Sequence, residues 1–453
     1  MSQADISTTL AGVKMRTPFG VSPHNLDKPW FPGKKAAELF LKYVEAGAGY
    51  IYIPAIVPGE PTEAEKKCNF PILFQSQNYV GRWMKITLDE AHRRDVIAHI
   101  YTAKNLFNYL SWAKELMDEI KPQLPQNVPV IAQVLVHDMD PKQWAEQTKR
   151  VADLGPDIIE LNTGCPVGAM GHIDAKSLPP EAKWGMMMGA APDVFLPVLE
   201  ACVKATSLPV GFKLTPEVGY PRMLYLTEEA RNAGARFVVT THKYFVVPPP
   251  DIWHGGQGKY PGVSDNANIL SDIGGPMLRF SMYKATALIT KNIPGIDTFA
   301  GGGITAPEHV VEAIMLGASA CQTLTGMVIN GIDFIRRSNE WLIKYMKKCG
   351  YATIEDFRGL GLKYLKSSTE TEFYYYRAFI DEEKCTCCGK CAASYCPAIS
   401  MVDGEPTVDE TYCSSCAMCT VICPFSMQFQ YDSGAFQLRL PEQLLGLLQF
   451  GYA

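Results

Sequence analysis

The sequence contains no run of apolar residues long enough to cross a membrane. A spanning helix needs about 18 to 20 such residues in succession, and none of the 453 positions belongs to a run of that length. The opening segment, MSQADISTTLAGVK, is polar and lacks the apolar stretch of a secretory signal. We therefore expect a cytoplasmic protein with no membrane partner.

An excess of positive charge is lacking as well. The formal net charge is −5 and the sequence pI is about 6.0, whereas surfaces that bind nucleic acid are basic. A nucleic-acid partner is therefore not expected.

A dinucleotide-binding fingerprint is also missing. No G-x-G-x-x-G opens a βαβ unit, and the segment GGQGKYPG at 255–262 lies in a predicted loop. The fingerprint normally holds the pyrophosphate of a dinucleotide at the start of a helix. We therefore expect no built-in NAD(P)H domain.

Cysteine, in contrast, is plentiful, but its 14 residues are unevenly spread. Eight of them fall in two tight runs near the C-terminus, and Cys387 lies inside the first run. Such clustering favours metal ligation in a reducing cytoplasm over a disulfide framework.

Residues 1–350 alternate between short β-rich segments and segments of helical period. The β-rich segments are apolar for most of their length, as expected of strands buried on both faces. The alternation predicts a (β/α)8 TIM barrel, with a doubly wound open sheet as the alternative. The eight strand candidates are PFGVS, GYIYIPA, PVIAQVLV, DIIELNT, PVGFKLT, FVVTTH, DTFAGGG and ASACQTLT.

Three connections of this region are unusually long, namely 56–107, 164–192 and 244–278. All three follow strand ends, where barrel active sites are built, and the aromatic residues of the third favour a lid. Glycine-bearing turns at 300–305 and 323–327 follow strands seven and eight. Loops at these two places often hold a phosphate, so the pair indicates a phosphorylated ligand such as FMN.

The two cysteine runs carry the strongest signal of the sequence. They read C-x2-C-x2-C-x4-C-P and C-x2-C-x2-C-x3-C-P, which is the pattern of bacterial ferredoxins with two [4Fe–4S] clusters. Zinc is the alternative, because paired C-x2-C units also bind it. In the ferredoxin pattern the last cysteine of each run serves the other cluster. The predicted ligands are Cys385, Cys388, Cys391 and Cys423 for one cluster, and Cys413, Cys416, Cys419 and Cys396 for the other.

These runs define the rest of the domain plan. We expect a linker at 351–378, a small α+β bacterial-type ferredoxin domain at 379–432 and a C-terminal tail at 433–453. Between the runs, ISMVDGEPTVD predicts a hairpin that turns at Asp403 and Gly404. A cluster domain carries single electrons, so its fusion to a barrel with a phosphate site suggests a flavin that trades single electrons for hydride.

Four segments followed by two cluster runs resemble the dihydropyrimidine dehydrogenase family. The segments are LNTGCPVG, GFKLTPEV, YPGVSD and AGGGIT. They are similar to the flavin-binding and C-terminal ferredoxin parts of that family and, more remotely, to class 1 dihydroorotate dehydrogenases. The resemblance covers roughly residues 12–430.

The resemblance implies roles for individual residues. Cys165 matches the catalytic cysteine, Asn162 an asparagine that touches the substrate, and Lys213 the lysine near the pyrimidine edge of the flavin. Asn105 is a further candidate for substrate contact. The other candidate contacts of FMN are Ser22, Gly262, Gly302, Gly303, Thr325 and Gly326.

Three departures from the family pattern affect the substrate side. The family's TNT after strand six reads Thr241, His242 and Lys243 here, so the asparagine that reads the pyrimidine is absent. Gly164 replaces the serine before the catalytic cysteine, and Pro54 replaces a lysine. We therefore expect this protein to share the reaction class of the family but not necessarily its substrate.

The sequence thus predicts an oxidoreductase that reduces a carbonyl-conjugated C=C bond of a cyclic small molecule, pyrimidine-like or other. Hydride would come from FMN and a proton from Cys165, while Lys213, His242 or Lys243 would stabilise the developing charge. The electron donor would be a partner flavoprotein with FAD and NAD(P)H, or a ferredoxin, in a homo- or hetero-oligomer. Two rivals are an electron-transfer subunit without substrate chemistry, and a tRNA-uridine reductase, against which the negative charge argues.

Overall fold

A nine-stranded parallel sheet forms the centre of the first unit. Its strands follow one another in the order Phe19–Val21, Ala320–Thr323, Asp297–Gly301, Phe237–Val239, Val210–Lys213, Ile158–Leu161, Val130–Val134, Ile51–Val57 and Asn108–Tyr109. The computed structural model describes residues 4–24, 33–60, 79–89, 94–103, 108–136, 138–164, 188–247, 249–258, 271–370, 377–414, 416–423, 432–433 and 436–439.

The sheet curls into a barrel, as the sequence predicts. All neighbouring strands are parallel, and the backbone N–H of Gly49 donates to the carbonyl of Phe19 at 2.9 Å across the seam. Only glycine fits at this seam, because a Cβ on Gly49 would lie 1.9 Å from the carbonyl oxygen of Thr17. The closed barrel excludes the doubly wound alternative, and all eight strand candidates are strands.

Amphipathic helices cover the outside of the barrel. In the first of them the apolar face carries Ala36, Phe40, Tyr43 and Val44, which are all buried. Pro141 begins another helix after the Asp140 cap, whose carboxylate accepts from the N–H of Lys142. The helices within the described ranges of this unit are Gly33–Glu45, Leu110–Ile120, Pro141–Ala152, Pro192–Ala205, Arg222–Asn232, Arg279–Asn292, Glu308–Met315, Thr325–Asn330 and Phe334–Cys349.

Two of the long connections join in a four-stranded antiparallel sheet. Its strand order is Tyr244–Val246, Ser271–Gly274, Arg94–Ala103 and Tyr79–Asp89. The sequence did not predict this sheet. Smaller antiparallel pairs are Thr8–Leu10 with Val13–Met15 and Pro250–Asp251 with Gln257–Gly258.

Residues 366–453 form a second compact unit, separate from 1–365. The hairpin predicted at Asp403 and Gly404 is confirmed: Ile399–Val402 pairs with Glu405–Val408, and both turn residues have positive φ. A three-stranded sheet joins Arg377–Ile380, Phe436–Arg439 and Asp432–Ser433, and a short helix spans Met418–Ile422. No helix among the residues described is long and apolar enough to span a bilayer.

Candidate functional site

A cavity opens at the carboxyl ends of the barrel strands. It encloses about 630 Å³, its open mouth included. Active sites of this fold are built at this end, from side chains on the last residues of the strands. Predicted site residues that line the cavity are Ser22, Lys213, His242, Lys243, Gly302, Gly303 and Thr325.

One wall of the cavity is a close-packed glycine turn. Gly302 and Gly303 follow the strand Asp297–Gly301 with φ of +109° and +78°. A Cβ on Gly303 would lie 2.5 Å from the backbone N of Arg279, and one on Gly302 would lie 2.7 Å from Cγ2 of Thr241. The turn therefore requires glycine at both positions, and its backbone lines the cavity with no side chain in between. Such bare backbone is suited to phosphate oxygens.

Thr325 completes this wall from the neighbouring strand end. Gly326 follows it, but its N–H donates to Oγ1 of Thr323 at 3.1 Å. A Cβ on Gly326 would meet the carbonyl oxygen of Ile304 at 2.4 Å. Gly326 therefore serves close packing, and its N–H is already committed within the protein.

Lys213 is a buried cation on the cavity wall. It ends the strand Val210–Lys213, and its Nζ lies 3.4 Å from Oε1 of Glu160 on the adjacent strand. Its carbonyl accepts from the hydroxyl of Thr163 at 2.9 Å, and the ring of Tyr52 lies 6.0 Å from Nζ. A buried lysine needs such a partner, since an unpaired charge is costly away from water.

Glu160 is fully buried behind Lys213. Burial raises the pKa of its carboxyl to about 7, although the charge of Lys213 opposes this rise. Oε1 also accepts from the amide of Gln133, and Oε2 has no hydrogen-bond partner in the described part of the chain. Gln133 in turn accepts from Nδ2 of Asn162 at 3.2 Å, and Oδ1 of Asn162 is buried with no partner among the same residues.

His242 lies on the cavity wall next to Lys243. Burial and the charges of Lys213 and Lys243 hold its pKa well below the ordinary value, so the ring is neutral at pH 7. Its Nδ1 has no hydrogen-bond partner among the described residues, and the same is true of Nε2 of Gln322 on the cavity wall. Buried polar atoms without partners are rare in proteins, so both atoms indicate a bound polar molecule.

Three further residues of this region, Gln133, Glu160 and Gln322, were not predicted from the sequence. Each is a polar residue inside an otherwise apolar strand, in VIAQV, IIEL and ACQT. That signal was available, because a buried strand tolerates a polar side chain only where it finds a partner. Cys165, Asn105 and Gly262 lie outside the described residues.

The second unit gathers most of the predicted cluster ligands in one small core. Cys391, Cys419 and Cys423 are buried there, and Cys385, Cys396 and Cys413 pack against them. A cavity of about 510 Å³, open solvent included, is lined by the four predicted ligands of one cluster, namely Cys396, Cys413, Cys416 and Cys419. No disulfide joins two of the twelve described cysteines.

No three His, Cys, Asp or Glu residues in the described part of the chain are grouped to hold a single metal ion. A cubane takes one thiolate for each of its four irons, so its ligands stand farther apart than the ligands of one ion. The ring of four cysteines around a cavity fits a cluster of that kind.

Comparisons with known proteins relate this chain to dehydrogenases and to the dihydrouridine synthase family. Residues 100–242 match the family model of dihydrouridine synthase (Dus). The catalytic subunit of dihydroorotate dehydrogenase B (NAD(+)) from Pyrococcus abyssi is 29% identical over 224 residues, 49% of this chain and 66% of that protein. The NAD-dependent dihydropyrimidine dehydrogenase subunit PreA of Escherichia coli is 22% identical over 401 residues, 87% of this chain and 86% of that protein.

A ligand-free DHODH from Eimeria tenella shares the fold. Its crystal structure superposes with a TM-score of 0.57 at 16% identity and covers 79% of this chain and 92% of its own. The chain spans just under two thirds of the length of the P. abyssi relative. The homologues of this chain thus include dihydropyrimidine dehydrogenases and catalytic subunits of dihydroorotate dehydrogenase B, and a segment of its barrel is similar to the dihydrouridine synthase family.

Proposed function

We propose that this chain is an FMN- and iron–sulfur-dependent reductase of a carbonyl-conjugated C=C bond in a cyclic substrate. One observation carries the proposal. A single cavity at the active end of the barrel brings together a buried lysine, a glycine turn and two unpartnered polar atoms, which belong to His242 and Gln322. The dehydrogenases among its homologues favour the same chemistry.

The residues on the cavity wall fit FMN. Gly302, Gly303 and Thr325 would hold the phosphate, because their main chain and hydroxyl lie bare at one end of the cavity. Ser22 and Lys213 would contact the flavin, with the ammonium of Lys213 as the charged group. Bound FMN would supply the hydride for the reaction.

Cys165 would supply the proton. Once one carbon of the C=C bond receives hydride, negative charge spreads from the other carbon onto the conjugated carbonyl. A thiol with a pKa of about 8.5 is mostly protonated at neutral pH and can protonate that carbon. The thiolate then recovers a proton from solvent, so the substrate gains one hydride and one proton in all.

The developing charge would be held by the cations of the cavity. Lys213 and Lys243 are both on its wall. His242 would act as a neutral hydrogen-bond partner of the substrate, because its lowered pKa leaves almost no imidazolium at pH 7. This refines the sequence prediction, which gave His242 a catalytic role alongside the two lysines.

The second unit would carry the electrons. Its ligands would be Cys385, Cys388, Cys391 and Cys423 for one cluster, and Cys413, Cys416, Cys419 and Cys396 for the other. Six of the eight share one small core, and four surround one cavity. A partner flavoprotein with FAD and NAD(P)H, or a ferredoxin, would be the donor in a homo- or hetero-oligomer.

The substrate would differ from uracil and thymine. His242 occupies the place where the dihydropyrimidine dehydrogenase family has its pyrimidine-reading asparagine. A neutral imidazole offers one donor and one acceptor on different sides of a ring, whereas an amide offers both on one edge. A pyrimidine would leave a buried polar group unpaired, which costs about 1–3 kcal/mol.

Substrate-induced recovery of the flavin and cluster absorbance tests the function directly. The purified protein is reduced chemically without oxygen, and candidate cyclic enones, aromatic carbonyl compounds and pyrimidines are added while flavin and cluster absorbance are followed. We expect at least one non-pyrimidine ring to reoxidise the protein faster than uracil does. Reoxidation by artificial electron acceptors alone would favour an electron-transfer subunit instead.

The Dus match over residues 100–242 supports a second candidate, reduction of uridine in RNA. The match covers the barrel only, and the net charge of −5 opposes binding to RNA. Reoxidation of the reduced protein by unmodified tRNA, with no response to small rings, would favour this candidate.

A further inference from the structure

A carboxylate without an assigned role stands directly behind the cavity wall. Glu160 is 0% exposed, and Lys213, its ion-pair partner, is 5% exposed. Isolated buried carboxylates are strongly unfavourable, and an apolar side chain of similar size is often as stable in such a place. Glu160 therefore needs an explanation other than packing.

The contacts of Glu160 all converge on one of its oxygens. Nζ of Lys213 lies 3.4 Å from Oε1, and the amide of Gln133 donates to the same atom. Oε2 has no partner among the residues that the structure describes, so a proton on the carboxyl would sit there. Oε1 thus faces the ammonium of Lys213 in either protonation state, and only the strength of the attraction changes.

The surroundings leave the ammonium of Lys213 one charged partner among the described residues. Its neighbours otherwise are the ring of Tyr52, 6.0 Å from Nζ, and the neutral ring of His242. Without the carboxylate the ammonium would be a buried unpaired charge, and a lysine stem can swing its head toward water to escape this. Such a movement would take the charge away from the cavity wall.

We propose that Glu160 is a positioning residue for the flavin site, which holds the ammonium of Lys213 on the cavity wall. The inference rests on the proposed function, since it concerns FMN in this cavity. Glu160 does not touch the ligand and acts only through Lys213. Gln133 supports it by fixing the carboxyl group from the neighbouring strand.

A double-mutant cycle on FMN affinity tests the proposal. The full chain is freed of flavin, and the dissociation constant of FMN is measured from the quenching of flavin fluorescence. Glu160→Gln and Lys213→Met should each weaken FMN at least about tenfold, the usual effect of losing a hydrogen bond to a charged group. The double variant should bind FMN as Lys213→Met does, because Glu160 acts only through that lysine.

Asp297→Asn is the matched control. Asp297 is likewise a carboxylate on a barrel strand, though only partly buried, and it accepts from the N–H of Ala11 and the hydroxyl of Ser319 at the other end of the barrel. This variant should change FMN affinity less than about twofold. Glu160→Asp keeps the charge at a shorter reach and should fall between the wild type and Glu160→Gln. It also provides the measurement if Glu160→Gln does not fold.

The outcomes distinguish a failure of this inference from a failure of the proposed function. A wild-type chain that binds no FMN would overturn both. Wild-type binding together with unchanged affinity in Glu160→Gln, or with additive losses in the double variant, would overturn the inference alone. Additive losses would mean that Glu160 acts on the fold in general and not through Lys213.

Discussion

Single residues decide the chemistry of this barrel, and Cys165 is the first to test. Cys165→Ala should keep flavin and iron but lower substrate reduction by about 10²–10⁴-fold, the usual contribution of a positioned acid. Steady-state rates at matched cofactor content give the measurement. Full turnover in this variant would require another proton donor.

Cys202 provides the control for that substitution. It is fully buried in the helix Pro192–Ala205, and burial raises the pKa of its thiol to about 12. Cys202→Ala should therefore lower stability by about 1–2 kcal/mol and leave turnover intact.

The protonation of Glu160 should be visible in stability. Its pKa rises from 4.5 to about 7 on folding, so the folded state binds the proton more tightly. The stability from this group is full below about pH 4.5 and is lost as the pH rises to about 7, a change of about 3 kcal/mol. Glu160→Gln cannot titrate, so its free energy of unfolding should decline less over this range.

Denaturant titrations of the flavin-free chain at several pH values measure both curves. Lys213 and Tyr50 are the charged or titratable groups that interact with this carboxyl. Parallel curves for the two proteins would mean that the Glu160 carboxyl is ionised in the folded state throughout the range.

Among the elements of the fold, the glycine turn after Asp297–Gly301 allows the clearest test of the proposed FMN site. Gly303→Ala would place Cβ 2.5 Å from the backbone N of Arg279 at a φ of +78°. The turn must shift, so we expect FMN affinity to fall by more than about tenfold. Fluorescence titration with FMN checks this.

Gly331 provides a control that separates the backbone strain of an alanine at positive φ from the steric clash of its Cβ. It has the same φ of +78°, but a Cβ added there would meet nothing within 4 Å. Gly331→Ala should therefore lower stability by about 1–2 kcal/mol and leave FMN affinity unchanged. Equal losses of affinity in both variants would show that the turn at Gly303 does not shape the site.

The strands of the barrel could be predicted because each carries its own signal. A continuous apolar segment such as PVIAQVLV identifies a buried strand without reference to any other part of the chain. The same holds for Lys213, since a lysine in such a strand requires a partner. The identity of the partner could not be predicted, because Glu160 meets Lys213 only through the pairing of their two strands.

The antiparallel sheet formed by the long connections, in contrast, could not be predicted from local sequence. Tyr79–Asp89 and Arg94–Ala103 pair locally, but Ser271–Gly274 joins them from about 170 residues away. No local pattern specifies a partner at that distance. Three further site residues of the sequence prediction lie outside the described residues, namely Cys165, Asn105 and Gly262.

For the whole molecule, the decisive quantity is the cofactor content. The eight cysteines of the two ferredoxin-like runs and one proposed phosphate site predict about eight irons and one FMN per chain. Anaerobic metal and flavin analysis of the purified protein measures both. Zinc in place of iron would contradict the ferredoxin-like unit, and iron without flavin would contradict the reductase.

Two adjacent cysteines make the content test specific. Cys387 and Cys388 are adjacent in the first run, and both are exposed. Only Cys388 fits the ferredoxin spacing. Cys387 has a positive φ of 52°, and its N–H lies 3.5 Å from Sγ of Cys385. Cys387→Ala should therefore keep about eight irons, whereas Cys388→Ala should lose up to about four, because one cluster lacks a ligand. Equal iron in the two variants would mean that the spacing of the first run does not define its ligands, and the electron path would then need a different set of thiolates.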